Sequence, residues 1–310
     1  MMINTLFLLC GCTEKQKPVV ALSWHNNQKS YTFVATLKTV KEAGAEPIIL
    51  DKVRSTDLEY DEQGNLLSGK DEKGMLEKDA AELVKKYNWH HSNVEEIMKD
   101  VKCLIMTGGV DISPYLYENP EEWLVSEKDN EFSAERDVSD YILAKYCIDK
   151  DIPLLCICRG MQVLSIVSGA KMIQDIPTWF ENQGIDYEYL HREINRKEFV
   201  PHDVTITDKD SLIYKINGSD VITKVPSWHH QAVESLEGSE LVVTGTTLTQ
   251  GKQIVETVER KDRKFIIGVQ YHPEAAIRKI IDKEDNADDY MDYDSGMCLF
   301  KALIKTAYGD

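Results

Sequence analysis

Apolar and polar positions along the chain follow two different periods, and the switches between them mark the elements. Pro18 to Trp24 reads PVVALSW, a continuous apolar run that predicts a buried strand. Tyr31 to Ala43 then sets Phe33, Val34, Leu37 and Val40 at helical spacing, with Gly44 as the stop. EPIIL, Glu46 to Leu50, is a second strand. Strand, helix and strand within about thirty residues form a βαβ unit, which predicts a parallel sheet. The alternation resumes with CLIMTGG (Cys103 to Gly109), a strand ending in a glycine turn. A helix over Ala134 to Ile148, a strand over Ile152 to Cys158 and a helix from Met161 to Ser168 follow.

From His202 the pattern turns to strands: HDVTIT, ELVVTGTT, QIVETVER and FIIGVQYH. This predicts a sheet extended by hairpins. Ile281 to Asp294 reads as an acidic linker, and Met297 to Ala307 as a last helix. The stretch from about Lys52 to Asp100 is different. It is highly charged, carries the turn signals DEQGN and DEKG, and holds two short helical patterns, AAELVKKYNW and VEEIMKD. It reads as an excursion from the scaffold. The expectation is one catalytic domain over 18–310 with this charged excursion at about 52–100.

Composition narrows the function classes. The net charge is −17 over 310 residues. Such a surface repels nucleic acid and anionic lipid, so no nucleic-acid partner is expected. The seven cysteines are odd in number and form no CxxC ladder, which argues against a disulfide framework and a thiolate zinc site. No segment reaches the roughly 18–20 apolar residues that span a bilayer. Leu9-Cys10-Gly11-Cys12, however, closes a short apolar run and leads into polar residues. It resembles the lipobox of bacterial lipoproteins. The resemblance implies a signal and linker over 1–17 and attachment to the cell envelope through Cys12. A frayed terminus on a cytoplasmic protein is the alternative.

The chemistry-bearing motif is LLCICRGMQ, Leu154 to Gln162. An apolar strand runs into Cys158 and then straight into a helix. A nucleophile on such a turn is pushed into the cleft at the C-terminal edge of the sheet. The turn is crowded, and Gly160 supplies the small residue it needs. The helix N-terminus favours a thiolate, and the Arg159 amide can face a developing oxyanion. Read alone, a cysteine in this C-x-C-x-G context is more often a core residue at a strand end than a nucleophile.

GVQYHPEA, Gly268 to Ala275, supplies what that cysteine would need. On an extended segment His272 and Glu274 face the same side, with Pro273 stiffening the backbone between them. His272 can take the thiol proton while Glu274 holds the ring. In TGGVDISP, Thr107 to Pro114, the paired glycines permit close backbone approach, which marks the Gly109 amide as a second oxyanion donor.

Taken in order, GGVDISPYLY, the ERD of Glu135 to Asp137, ICRGMQ, the QDI of Gln174 to Ile176, SWHHQAV and GVQYHPE resemble the class I glutamine amidotransferase-like group. More narrowly they resemble the peptidase C26 family, which includes γ-glutamyl-γ-aminobutyrate hydrolase. The likeness covers most of the chain from Pro18 onward. Two departures stand out: Ser168-Gly169-Ala170 where the family has Gly-Gly, and Gln250-Gly251 where it often has Asp-Gly. The resemblance implies an α/β fold: a flavodoxin-like three-layer sandwich, its central sheet mostly parallel with added antiparallel strands. It also implies hydrolysis of γ-glutamyl amides through a thioester, needing no metal or organic cofactor. His229, His230 and Gln231 of SWHHQAV fall at the substrate cleft by the same resemblance, and Gln162 and Arg159 by position. The excursion could cap that cleft. Two rivals remain: a glutaminase subunit that passes ammonia to a partner, and a non-catalytic binding protein on the same scaffold. The 310 residues hold no synthetase domain, which favours hydrolysis. A homo-oligomer is compatible with everything above.

Overall fold

A computed structural model describes residues 17–118 and 131–309. The Cys12 lipobox therefore lies outside the described residues. The strands are β1 (Val19–Leu22), β2 (Glu46–Ile49), β3 (Leu104–Met106), β4 (Leu154–Ile157), β5 (Lys171–Ile173), β6 (Val200–Ile206), β7 (Val221–Ser227), β8 (Ala232–Ser235), β9 (Val242–Thr249), β10 (Lys252–Glu259) and β11 (Ile266–Val269). The helices are α1 (Tyr31–Glu42), α2 (Lys78–Tyr87), α3 (Val94–Ile97), α4 (Ala134–Lys150), α5 (Arg159–Val167), α6 (Ile176–Glu181), α7 (Leu212–Asn217), α8 (Pro273–Asp282) and α9 (Tyr293–Tyr308).

Nine strands make one sheet in the order β2-β1-β3-β4-β11-β10-β9-β6-β7. The half from β2 to β11 is parallel, and from β11 to β7 every pairing is antiparallel. β5 and β8 form a separate antiparallel pair. This is the α/β sandwich expected, with the hairpin strands added on one side.

The continuous apolar runs have a physical reason. Both faces of the parallel half are covered, so both sets of alternating side chains need to be apolar. Ala21, Leu104, Met106, Leu154 and Cys156 pack with α2, α4 and α5. Val20, Leu22, Ile105, Leu155 and Ile157 pack with α1, α8 and α9 on the other side. Among the described residues no helix is long and apolar enough to cross a membrane.

Three sequence expectations need correction. The segment after His272 is not extended: α8 starts at Pro273, a residue suited to the first helical position, and buries Ala275, Ala276 and Ile277. The acidic linker is shorter than its composition implied, because Asp292 accepts from the Ser295 amide (3.0 Å) and caps α9 from Tyr293. The excursion does not cap the cleft. Its Leu66 and Leu76 join the core under α4, and their amides bond to Glu135 Oε1 (3.0 Å) and Ser113 Oγ (2.7 Å).

Candidate active site

The site grows from the C-terminal ends of β3, β4 and β11. Cys158 sits between β4 and α5 with φ 51° and ψ −107°, a conformation costly for a residue with a side chain. Its amide is held by the Val269 carbonyl at 2.7 Å. Gly160 cannot be larger: a Cβ there would lie 2.4 Å from the Met106 carbonyl oxygen. The crowding read from the motif is thus a clash with a named atom.

Strand alternation separates the two neighbouring cysteines. Cys156 points into the core under α4 and α5, where burial pushes its thiol well above the usual range. Cys158 borders two cavities instead. One, of about 380 Å³, is lined by His25, Gly109, Asp111, Gln162, Trp228 and His230 among others. The second, of about 430 Å³, is lined by Tyr31, Phe199, Trp228 and His272, and shares Cys158 and Gly109 with the first. None of residues 52–100 lines either cavity.

His272 is the residue before α8, and its Nδ1 lies 2.7 Å from Glu274 Oε1. The Cys158 thiol interacts with this ring, and its Sγ lies 3.9 Å from the Trp228 carbonyl oxygen. Burial works against the imidazolium, but Cys158 and Glu274 outweigh it and raise the His272 pKa. Gly108 faces this ring so closely that a Cβ would come within 2.7 Å of His272 Cε1.

The Gly108–Gly109 peptide is held from one side. The Gly108 carbonyl accepts from Arg136 Nη2 (2.9 Å) and lies 3.2 Å from His25 Nε2. His25 Nδ1 accepts from the Asn27 amide (2.9 Å), which leaves Nε2 as the donor. Burial, with Arg136 and Arg159 nearby, pushes the His25 pKa down to about 2, so the ring stays neutral. In a trans peptide the N–H lies opposite the C=O, so the Gly109 amide faces away from Arg136 and His25. A Cβ at Gly109 would collide with Arg136 Nη1 at 1.8 Å. His25 and Arg136 escaped the sequence reading as site residues, although the ERD motif contains Arg136.

Beneath the turn lies a buried ionic network. Arg159 Nη2 meets Asp137 Oδ1 at 2.6 Å, and its Nη1 meets Asp140. Asp137 Oδ2 accepts from both the amide (3.0 Å) and the hydroxyl (2.5 Å) of Ser113. The Arg159 side chain is thereby committed to the scaffold and is not turned to the cleft as a ligand. Its amide, at the first position of α5, has no partner within its own helix.

The other residues of the SWHHQAV motif brace the cleft wall. His230 bridges Asp175 Oδ1 (3.0 Å) and Asp111 Oδ1 (2.9 Å), tying QDI to GGVD. Burial opposes its positive charge, yet the two carboxylates outweigh this and raise its pKa. Gln231 Nε2 donates to the Tyr117 hydroxyl (3.1 Å), and Gln162 Nε2 to Gln270 Oε1 (3.3 Å). His229 also lines the cleft, but its Nδ1 lies 2.8 Å from the Gln231 carbonyl and its Nε2 points to Glu256 Oε1 at 3.5 Å, into the interior.

With this geometry established, comparison with known proteins decides the family. The peptidase C26 family matches residues 80–274, a span that holds Cys158, His272 and Glu274. The chain belongs to the peptidase C26 family. Membership assigns it to the hydrolases of the glutamine amidotransferase-like group. A relative in Rickettsia prowazekii, named "Putative glutamine amidotransferase-like protein RP404", is 29% identical over 254 residues, covering 71% of this chain and 82% of that protein. Protein NtpR of Enterococcus hirae is 32% identical over 172 residues, covering 55% of this chain and 66% of that protein. Among solved structures, the glutaminase domain of Trypanosoma brucei CTPS with bound acivicin superposes with a TM-score of 0.50, covering 94% of each chain at 17% identity, a likeness of fold.

Proposed function

We propose that this C26 protein cleaves γ-glutamyl amide bonds, with Cys158 as nucleophile, His272 as acid–base and Glu274 as the group that orients it. The observation that carries the reading is a thiol on a strained strand-to-helix turn within reach of an imidazole whose far nitrogen is held at 2.7 Å by a carboxylate. His272 takes the proton from the Cys158 thiol, and the thiolate attacks the γ-carbonyl carbon. The carbonyl oxygen becomes an oxyanion between the amides of Gly109 and Arg159. His272 returns the proton to the leaving nitrogen, the C–N bond breaks, and a γ-glutamyl thioester remains. Water, deprotonated by His272, attacks that thioester. Collapse releases glutamate and restores the thiol.

The cleft chemistry supports a glutamyl head group. Its lining includes Arg192 and Arg196 together with Asp111 and Glu131. Cationic and anionic groups in one polar cleft match the α-carboxylate and α-ammonium of a γ-linked glutamate. The proposal is tested by offering γ-glutamyl-γ-aminobutyrate, γ-glutamyl peptides, folate polyglutamate and free glutamine to the purified protein. Glutamate plus an amine from one of the amides is the expected result. Ammonia from glutamine at a matching rate would favour a glutaminase that serves a partner. No thioester and no glutamate from any substrate, with Cys158 reduced and the protein folded, would leave a binding protein.

A further inference from the structure

A second cluster lies beneath the cleft wall, in the antiparallel half of the sheet. We propose that His191, His202, His229 and Glu256 form a closed four-ligand site for one divalent transition-metal ion, with zinc the best match to the donor set. The inference is independent of the reaction proposed above.

The donors come from four separate segments. His191 lies in the connection between α6 and β6, His202 on β6, His229 between β7 and β8, and Glu256 on β10. One ligand atom from each falls within 4.8 Å of all the others. Glu256 Oε1 is 3.2 Å from His191 Nδ1, 3.5 Å from His229 Nε2 and 3.6 Å from His202 Nε2. A tetrahedral ion with bonds of 2.0–2.1 Å holds its ligand atoms about 3.3 Å apart.

The hydrogen bonding points the same way. Each imidazole has its other nitrogen beside an oxygen: His191 Nε2 on Thr249 Oγ1 (2.8 Å), His229 Nδ1 on the Gln231 carbonyl (2.8 Å) and His202 Nδ1 on Thr247 Oγ1 (3.1 Å). Metal-bound histidines are oriented in this manner, because the outer contact fixes the tautomer. The three inward nitrogens and both Glu256 oxygens are fully buried and make no well-formed hydrogen bond. A simple Glu–imidazolium pair would align one N–H on the carboxylate and would not need three converging rings.

The donor set indicates the role. Three imidazoles and one carboxylate without thiolate suit a borderline ion such as Zn²⁺. Four protein ligands leave no position for substrate, so the ion would be structural. It would fasten the loop of His229 to the sheet, and that loop carries Trp228, His230 and Gln231 of the cleft wall.

The test reads metal directly. Tag-free protein is purified without chelator and analysed by plasma mass spectrometry, then stripped, saturated with Zn²⁺ or Co²⁺ and desalted. One equivalent per chain is expected, with the visible bands of four-coordinate Co²⁺. Glu256→Gln and His202→Ala should lose the ion. Because those variants could fail to fold, Thr249→Val serves as a milder probe: losing the outer contact should weaken zinc affinity about 10–100-fold. Cys158→Ala should bind as well as wild type, which keeps this result separate from the fate of the proposed reaction. The inference is overturned if saturated wild type retains no stoichiometric ion, or if the His202 and Glu256 variants retain as much as wild type.

Discussion

Among the described residues the protein buries two histidine–glutamate groupings, and they are built in opposite ways. At His272 the carboxylate arrives from the same segment, two residues on, and only one ring nitrogen is held. The ring also interacts with a thiol that borders two cavities. At Glu256 three rings arrive from distant segments, each with its outer nitrogen beside an oxygen and its inner one turned to the same carboxylate. The first arrangement leaves a proton somewhere to go. The second leaves none, and gathers lone pairs at a point. A histidine beside a glutamate therefore says little by itself; the destination of its second nitrogen decides between moving a proton and holding an ion.

The sharpest way to break this comparison is at the thiol. Cys158→Ala is expected to abolish turnover while leaving thermal stability close to wild type, since the side chain is small and borders open space. Substantial residual turnover by a folded variant would remove Cys158 as nucleophile. His272→Ala should come close to that loss. Glu274→Gln should be milder, because the carboxylate orients the ring and only the ring moves protons; a gap of about 10–100-fold between the two is expected. Equal losses would mean that Glu274 does more than orient.

The pH profile sharpens the same contrast. The His272 pKa is raised above that of an unfolded histidine, so its contribution to stability is complete below about 6.5 and fades as pH climbs through the folded value. Glu274 is one of the charges that raise it. Glu274→Gln should therefore move the alkaline limb of the rate profile to lower pH. An unmoved limb would show that the proton titrating there is not on His272.

How much of this was legible in the sequence follows the same division. Cys158, Gly160, His272 and Glu274 lie on short contiguous motifs where one element ends and the next begins, so local pattern suffices to find them. The parallel strands were legible because burial on both faces makes them continuously apolar. The glutamate cluster has no local signature: its residues span 191 to 256 and meet only because β6, β9 and β10 pair. α8 was missed because GVQYHPE reads as a strand continuing past Val269, whereas Pro273 starts a helix. The departure at Gln250-Gly251 proved harmless. Both residues adopt positive φ, 45° and 83°, as a tight hairpin requires, and the Gln250 side chain bonds to the Asp186 carbonyl (2.7 Å).

A smaller effect is expected at His25. It touches neither thiol nor imidazole, but helps hold the Gly108 carbonyl and so the direction of the Gly109 amide. His25→Phe keeps a ring beside Phe33 and removes the donor. We expect kcat to fall about tenfold, less than the 10²–10³ of losing an oxyanion donor outright, because Arg136 still holds the carbonyl. His25→Gln, which restores an N–H donor, should recover part of the rate. An unchanged kcat in the phenylalanine variant would mean that Arg136 alone suffices.

The smallest effect on rate is expected two residues before the nucleophile. Cys156 and Cys158 carry the same side chain two residues apart in the motif, and the strand-to-helix turn singles out Cys158 as the nucleophile. Strand alternation separates them: Cys156 is paired in register between Met106 on β3 and Gly268 on β11, with its side chain in the core under α4 and α5. Burial there raises its pKa, so almost no thiolate exists at neutral pH. Cys156→Ala should therefore keep the wild-type rate and lose roughly 1 kcal/mol of stability from the small cavity it leaves. Alkylation by iodoacetamide should follow the same order, modifying Cys158 in the native protein and Cys156 only after unfolding. A folded Cys156→Ala variant without activity, or a native Cys156 that alkylates as fast as Cys158, would move the nucleophile to the other face of the strand and undo the comparison at its root.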